Sequence, residues 1–137
     1  PRASISNIFI DLAIPNKQIF VMMDVSLMAR VFVNIIVNAI QAMEHNGGTI
    51  TISYAVEDIE EKVHIIFEDT GPGIAEEKLE DVFSLFYTTK EEGTGLGLAM
   101  CQYIVKSHGG EIVLESIEGV GTKFIIVLPC IKAGTTE

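Results

Sequence analysis

The amino-acid sequence predicts an α+β fold, a two-layer sandwich in which helices cover one face of a largely antiparallel sheet. Two pairs of strand-like segments, each joined by a short turn, form candidate hairpins: residues 49–56 with 63–68, and residues 111–116 with 122–128. Two longer apolar segments, residues 24–43 and 96–107, have the pattern of helices. Hairpin strands pair antiparallel, and such a sheet accepts helices on a single face.

The first part of the chain supplies two further strands and the longer helix. Residues 8–12 and 18–23 are predicted as short strands on either side of a Pro15-Asn16 turn. Asp24 or Ser26 can cap the helix that follows. We expect this helix to run to about Met43, because the glycine-rich turn that comes next is a stop signal.

Residues 69–95 form an irregular stretch, in which we expect only a short helical piece near residues 76–83. A loop of this length is unusual in a compact domain unless it is a lid or a binding segment. The second helix then runs to about Ser107 and ends at His108-Gly109-Gly110.

Composition and charge limit the possible functions. The chain has 137 residues, 48% of them hydrophobic, which suits one globular domain with a real core. Its net charge of −10 argues against non-specific nucleic-acid binding. Any anion must therefore be held locally, by backbone amides, one or two cations or a bridging metal.

Cellular location is predicted from the cysteines and from the apolar segments. Cys101 and Cys130 have neither metal-ligand spacing nor a disulfide framework, which favours a reducing, cytosolic setting. No segment approaches the roughly 20 apolar residues that span a bilayer, and none resembles a signal peptide. The sequence begins at Pro1 without an initiator Met, so we expect a fragment of a longer protein, and any membrane attachment would lie in the missing part.

The run Gly93-Thr94-Gly95-Leu96-Gly97-Leu98 leads directly into the second helix. Glycines allow close approach of another molecule, and a helix N-terminus presents unpaired N–H groups with partial positive charge. Together these features form a candidate phosphate site. Many helices begin after a glycine-rich turn that binds nothing, so the run needs support from other parts of the chain.

A polar stripe on the first helix gives that support. The helix is apolar almost all round, but Arg30, Asn34, Asn38 and Gln41 lie on one face. Arg30 and Gln41, nearer the ends, are expected to be solvated. Asn34 and Asn38 lie mid-helix, where a buried amide without partners costs about 1–3 kcal/mol, so we assign them a function. An Asn carbonyl oxygen is a suitable ligand for Mg²⁺.

Two further segments complete the candidate site. In Glu68-Asp69-Thr70-Gly71-Pro72-Gly73-Ile74, a strand ends at a carboxylate beside two glycines; this is also good turn chemistry, but Asp69 is placed to accept a hydrogen bond from an amino group such as adenine N6. In residues 82–90, Phe83 and Phe86 are expected to anchor a lid to the core. Lys90 suits a phosphate contact, although a solvated surface lysine is the simpler alternative.

Better-known signatures are absent from the sequence. The glycine spacing is neither that of G-x-G-x-x-G nor that of a Walker A loop. His45, His64 and His108 form no metal or nucleophile pattern.

Taken in order, the four segments resemble the ATP-binding catalytic domain of bacterial sensor histidine kinases, in the superfamily shared with DNA gyrase, heat-shock chaperones and MutL. Residues 31–43, 69–73, 82–90 and 93–98 resemble its asparagine box, first glycine box, phenylalanine box and second glycine box. The Phe-Tyr-Thr-Thr-Lys run before the glycines is most similar to the nitrogen-regulatory type. The likeness covers nearly the whole chain and implies a Bergerat ATP-binding fold, with a mixed, mostly antiparallel sheet of about five strands and three helices on one face.

The resemblance implies roles for individual residues. Asn38 would be the chief Mg²⁺ ligand, with Asn34 beside the phosphates, and Asp69 would bind the adenine amino group. Lys90 would face the γ-phosphate. The other residues implied to contact ATP surround these: Gly71, Gly73 and Ile74 at the base pocket, and Thr89, Gly93, Thr94, Gly95, Leu96, Gly97 and Leu98 in the phosphate loop of the ATP lid.

One position separates kinases from hydrolases in this resemblance. ATP-hydrolysing relatives carry a glutamate general base one turn before the metal-binding asparagine, and here that place holds Asn34, whose amide cannot accept a proton. A protein-histidine kinase is therefore favoured over an ATPase of the same superfamily, and a nucleotide-sensing module without phosphotransfer is the remaining alternative.

The resemblance also implies partners. The expected acceptor is a His on a dimerisation domain missing from residues 1–137, with a response regulator receiver domain beyond it. This fragment is expected to bind ATP or ADP, to be monomeric and not to phosphorylate itself, whereas the full protein is expected to be a homodimer.

Overall fold

The computed structural model describes residues 7–15, 18–83 and 97–132 of the chain. The described strands and helices follow one another in this order: β1 Ile8–Ala13, β2 Ile19–Phe20, α1 Val25–Ala42, β3 Gly48–Glu57, β4 Lys62–Asp69, a 3-10 helix Glu76–Asp81, α2 Gly97–Ser107, β5 Glu111–Ile117, β6 Gly121–Pro129 and β7 Ile131–Lys132.

Five of these strands form the main sheet, in the order β1-β3-β4-β6-β5. The β1–β3 pair is parallel, whereas β3–β4, β4–β6 and β5–β6 are antiparallel. The predicted α+β class with a mixed, mostly antiparallel sheet of five strands is thus confirmed, and so are both predicted hairpins.

The long helix α1 begins and ends where the sequence signals indicate. Of the two candidate caps, Asp24 is the one used: its Oδ1 accepts a hydrogen bond from the Leu27 N–H at 3.0 Å. At the other end Met43 caps the helix and Gly47 takes a left-handed conformation with φ 76°. Asp24 therefore sets where α1 begins.

The apolar side of α1 and the inner face of the sheet form the core. Met28, Val31 and Ile35 are each at most 1% exposed, and Phe32 packs on Phe67 of β4 with ring centroids 5.5 Å apart. By length and composition alone α1 also passes as a membrane-span candidate, the single one in the ranges that the structure describes. The sequence analysis found none. The apolar residues of α1 are only partly buried in this core: Met28, Val31, Ile35 and Ala39 are buried, whereas Val25, Val33 and Val37 are exposed.

Helix α2 packs beside α1 through Cys101, Ile104 and Val105, all of them buried. The two helices are also joined at their ends, because the Asp24 N–H donates to His108 Nε2 at 3.0 Å. The predicted short helix near residues 76–83 is present as the 3-10 helix. Immediately after it, Phe83 packs edge-on against Phe124 of β6, with centroids 6.2 Å apart.

The predicted strand at residues 18–23 is the main departure from expectation. Only Ile19 and Phe20 are in strand conformation, and they pair with β7 in a separate two-stranded sheet. Within the described residues the partner strand is Ile131–Lys132. The chain then leaves the strand to reach the cap at Asp24.

Candidate functional site: a nucleotide pocket

The asparagine stripe of α1, the first turn of α2 and the segment after β4 converge at one edge of the sandwich. A β-carbon on Gly97, at the start of α2, would lie 2.5 Å from Asn34 Oδ1. At the C-terminal end of α1, a β-carbon on Gly71 would lie 3.2 Å from Met43 Cγ. Three elements that are separate in sequence thus bring most of the described candidate residues to one place.

Asn34 and Asn38 differ in their surroundings. Asn34 is half-buried, and its Nδ2 donates to the Arg30 carbonyl oxygen at 3.1 Å. That bond directs Nδ2 back along α1, while Oδ1 lies beside Gly97. Asn38, one turn later, is exposed, so the expectation that both amides are buried is wrong for Asn38. Arg30 and Gln41 are exposed, as predicted.

The exposed amide of Asn38 fits a magnesium ligand. Within residues 7–15, 18–83 and 97–132, no other group is hydrogen-bonded to this side chain, so its carbonyl oxygen is available. Across the same residues no cluster of three His, Cys, Asp or Glu side chains is placed to hold a metal. A Mg²⁺ ion at Asn38 would take further oxygens from phosphate and water, as Mg²⁺ commonly does.

Asp69 ends β4 with its side chain in the sandwich interior, where it is 8% exposed. Its Oδ1 accepts the Gly71 N–H at 2.8 Å, and the Thr122 N–H also donates to the carboxylate. Burial raises the pKa of this carboxyl above its usual value of 3.8, and the two backbone donors oppose that shift. Asp69 is therefore a buried hydrogen-bond acceptor at the start of a turn, and its carboxylate is suited to accept a hydrogen bond from a ligand N–H group.

The turn after Asp69 is tied down on both sides. On one side Thr70 and Thr49 exchange two hydrogen bonds, Thr70 N–H to the Thr49 carbonyl at 3.1 Å and Thr49 N–H to Thr70 Oγ1 at 3.0 Å. On the other side Gly73 has φ 75° and its Cα lies against the backbone of Ile117, where a side chain would not fit. The turn after Asp69 is therefore held in a fixed position beside that carboxylate.

Thr122 is a candidate residue that the sequence analysis missed. It lies directly opposite Asp69 in the β4–β6 ladder and is 8% exposed. Paired antiparallel positions place their side chains on the same face, so the Thr122 hydroxyl lies beside the Asp69 carboxylate. The sequence does contain a signal for this residue. In the strand, Thr122 alternates in step with Phe124, Ile126 and Leu128, which are buried, so its side chain is expected on the same inner face.

The phosphate-binding half of the predicted site is described only at its end. Thr89, Lys90, Gly93, Thr94, Gly95 and Leu96, together with Phe86, lie outside the described residues. The described end is Gly97 and Leu98, in the first turn of α2. The start of α2 lies beside Asn34, and a helix N-terminus carries unpaired N–H groups with partial positive charge. Such a terminus is a local phosphate-binding feature that is compatible with a net negative protein.

A five-stranded sheet covered by helices, with a buried aspartate and an asparagine-bearing helix at one edge, defines a nucleotide-binding α+β domain. The family model described as histidine kinase-, DNA gyrase B-, and HSP90-like ATPase matches residues 23–132, and the chain belongs to this family.

Relatives of the chain include a sensor histidine kinase and a sporulation kinase. The chain is 45% identical to sensor histidine kinase ZraS of Salmonella typhi over 108 residues, which are 79% of this chain and 23% of ZraS. It is 44% identical to sporulation kinase C of Bacillus subtilis over 106 residues, 77% of this chain and 24% of that protein. The chain thus spans about a quarter of the length of these curated relatives.

Solved structures agree with the fold. The catalytic domain of histidine kinase ThkA superposes with a TM-score of 0.73 at 38% identity, over 89% of this chain and 79% of that one. Full-length ShkA in complex with AMPPNP superposes with a TM-score of 0.80 at 26% identity, over 92% of this chain and 26% of ShkA. These neighbours confirm the fold class and the histidine-kinase resemblance.

Proposed function

We propose that this chain is the catalytic domain of a sensor histidine kinase, which binds Mg·ATP and transfers the γ-phosphate to a His on a separate dimerisation domain. The observation that carries the proposal is the setting of Asn34. Its side chain lies at the start of α2, where the phosphate loop ends, and the proton-accepting glutamate of the hydrolytic relatives is replaced by an amide. At that position ATP would meet an amide, which cannot activate water as a carboxylate does.

Base recognition rests on Asp69. Its buried carboxylate accepts hydrogen bonds, and the fixed turn through Gly71, Gly73 and Ile74 supports a planar ligand beside it. An exocyclic amino group, such as that of adenine, can donate a hydrogen bond to the Asp69 carboxylate. Desolvation strengthens the pairing, because an unpaired buried acceptor is costly.

Phosphate binding is assigned to the other end of the pocket. Asn38 would hold Mg²⁺, which would neutralise developing charge on the phosphates. Lys90 and the loop residues from Thr89 to Leu98 would contact the phosphates, and the N–H groups at the start of α2 would receive them. Transfer then depends on an acceptor His held in line with the γ-phosphate.

The partners and location follow from this activity. The chain would act with the dimerisation and phosphoacceptor domain of its own protein and, through it, with a response regulator receiver domain. We place it in the cytoplasm, as a monomeric domain, residues 1–137, of a longer homodimeric protein. The similarity to nitrogen-regulatory kinases stays a prediction.

The test combines the domain with a separately made dimerisation hairpin and γ-labelled ATP. Label that is stable to base and labile to acid on the hairpin, as phosphohistidine is, supports the kinase. Steady release of labelled phosphate without hairpin labelling would support the ATPase alternative. ATP binding with neither outcome would support a nucleotide-sensing module. A hairpin whose acceptor His is replaced serves as the control.

A further inference from the structure

A row of three polar side chains crosses the sheet beside the base pocket. Asp69 on β4 lies opposite Thr122 on β6, and Thr122 lies opposite Ser116 on β5. Directly opposed residues in antiparallel strands share a face, so the three side chains are neighbours. Ser116 is half-buried at the far end of this row.

The Ser116 hydroxyl has three hydrogen-bond partners. The Ile74 N–H, in the turn after Asp69, lies 2.8 Å from Ser116 Oγ. The Gly121 carbonyl oxygen lies at 3.0 Å, and Thr122 Oγ1 lies at 2.9 Å. One side chain thus joins the base-pocket turn to the start of β6.

Counting protons fixes the direction of each bond. A serine hydroxyl has one proton to donate and two lone pairs that accept. The Ile74 N–H can only donate, so it occupies one lone pair of Ser116 Oγ. The Gly121 carbonyl oxygen can only accept, so it receives the Ser116 hydroxyl proton. The bond between the two hydroxyls must then use the proton of Thr122. Thr122 Oγ1 therefore presents only lone pairs to the pocket.

We propose that Ser116 is a positioning residue for base selectivity, holding the Thr122 hydroxyl as an acceptor beside the acceptor Asp69. The proposal rests on the assignment of Asp69 to the base. The exocyclic amino group of a 6-aminopurine has two N–H donors, one for each acceptor, whereas the group at position 6 of a 6-oxopurine is a carbonyl oxygen that would face two acceptors. Without Ser116, the Thr122 hydroxyl can rotate, donate to that oxygen and admit the wrong base.

The experiment measures dissociation constants for ATP and for inosine triphosphate, a 6-oxopurine, in the presence of Mg²⁺. We expect the parent to prefer ATP, and Ser116→Ala to reduce the preference by about fivefold, as the loss of one oriented hydrogen bond would. Ser116→Thr, which keeps a hydroxyl, should retain the preference. Ser116→Cys, a near-isosteric change with a weak donor, should lose it even if the alanine variant folds poorly.

The matched control is Ser107→Ala, which also removes one hydroxyl but at the C-terminal end of α2, where Ser107 Oγ donates to the Ile104 carbonyl at 2.7 Å. It should leave the preference unchanged. An unchanged preference in folded Ser116→Ala and Ser116→Cys, while Asp69→Asn loses it, would overturn the role of Ser116 and leave the proposed function standing. A parent that does not bind ATP would instead overturn the proposed function.

Discussion

A β-carbon on Gly97, the first residue of α2, would lie 2.5 Å from Asn34 Oδ1 on α1. Real side chains do not tolerate that approach, so the residue at position 97 and the asparagine stripe are sterically coupled. The second glycine box therefore has a packing reason for its last glycine as well as a proposed phosphate-binding one.

Gly97→Ala tests this coupling. The added methyl group forces the Asn34 amide aside and breaks its bond to the Arg30 carbonyl oxygen, so we expect the free energy of unfolding to fall by about 1 kcal/mol and ATP binding to weaken. In an Asn34→Ala background the obstacle is gone, and the same change should be neutral or stabilising, because Ala is the better helix former by up to about 1 kcal/mol. Urea unfolding of the four proteins in this cycle measures the coupling; additive effects would contradict it.

Asn38→Ala should abolish the Mg²⁺-dependent part of ATP affinity and leave the fold intact. The side chain is exposed on α1, so its removal opens no cavity, and it supplies the proposed metal ligand. Calorimetric titrations with and without Mg²⁺ give the two affinities, and thermal unfolding gives stability. Gln41→Ala, on the same exposed stripe, is the control. A variant with the parent's Mg²⁺ dependence would rule out Asn38 as the ligand.

Asp69 should make stability fall as pH rises through an acidic window. Desolvation raises the pKa of this carboxyl in the folded protein, so between 3.8 and the raised value the folded state binds more protons than the unfolded state. The unfolding free energy of the parent should therefore decrease with rising pH relative to Asp69→Asn, which has no such proton. Urea unfolding of the two proteins across the acidic range provides the comparison. If the unfolding free energy of the parent instead rose with pH relative to Asp69→Asn, the pKa of Asp69 would be lowered in the folded protein, which would contradict this prediction.

Cys101 should resist alkylation in the folded protein. The thiol is 1% exposed between α1 and α2, and burial raises its pKa to about 11. At pH 8 only about one such thiol in a thousand is the reactive thiolate. Mass spectrometry of iodoacetamide-treated protein, native and in urea, tests this. Modification of native Cys101 at the rate seen in urea would contradict the burial.

The sequence predicts those parts of the fold that depend on local signals. Asp24 and the Asn46-Gly47-Gly48 stop bound α1, and two hairpins follow from alternation and turn residues. The parallel β1–β3 pairing and the β2–β7 pair join segments far apart along the chain, and no local pattern determines such contacts. A strand of two residues is also too short to show periodicity.

The same distinction applies to the site. Asn34 and Asp69 stand out because a polar residue interrupts an apolar helix or follows an apolar strand. Ser116 and Thr122 sit in strands where polar residues are ordinary, and their importance depends on the register that sets Asp69, Thr122 and Ser116 in one row. That register is a property of the folded sheet and has no counterpart in the sequence pattern.

The central claim is that the asparagine face of α1 and the turn after Asp69 hold opposite ends of one metal–ATP complex. It is tested most directly by amide NMR of the domain with ATP and a trace of Mn²⁺ in place of Mg²⁺. We predict paramagnetic broadening centred on Asn34 and Asn38, with shifts but less broadening at Gly71 and Ile74. Broadening confined to the acidic turn at residues 57–61, with Asn34 and Asn38 unaffected, would contradict the claim.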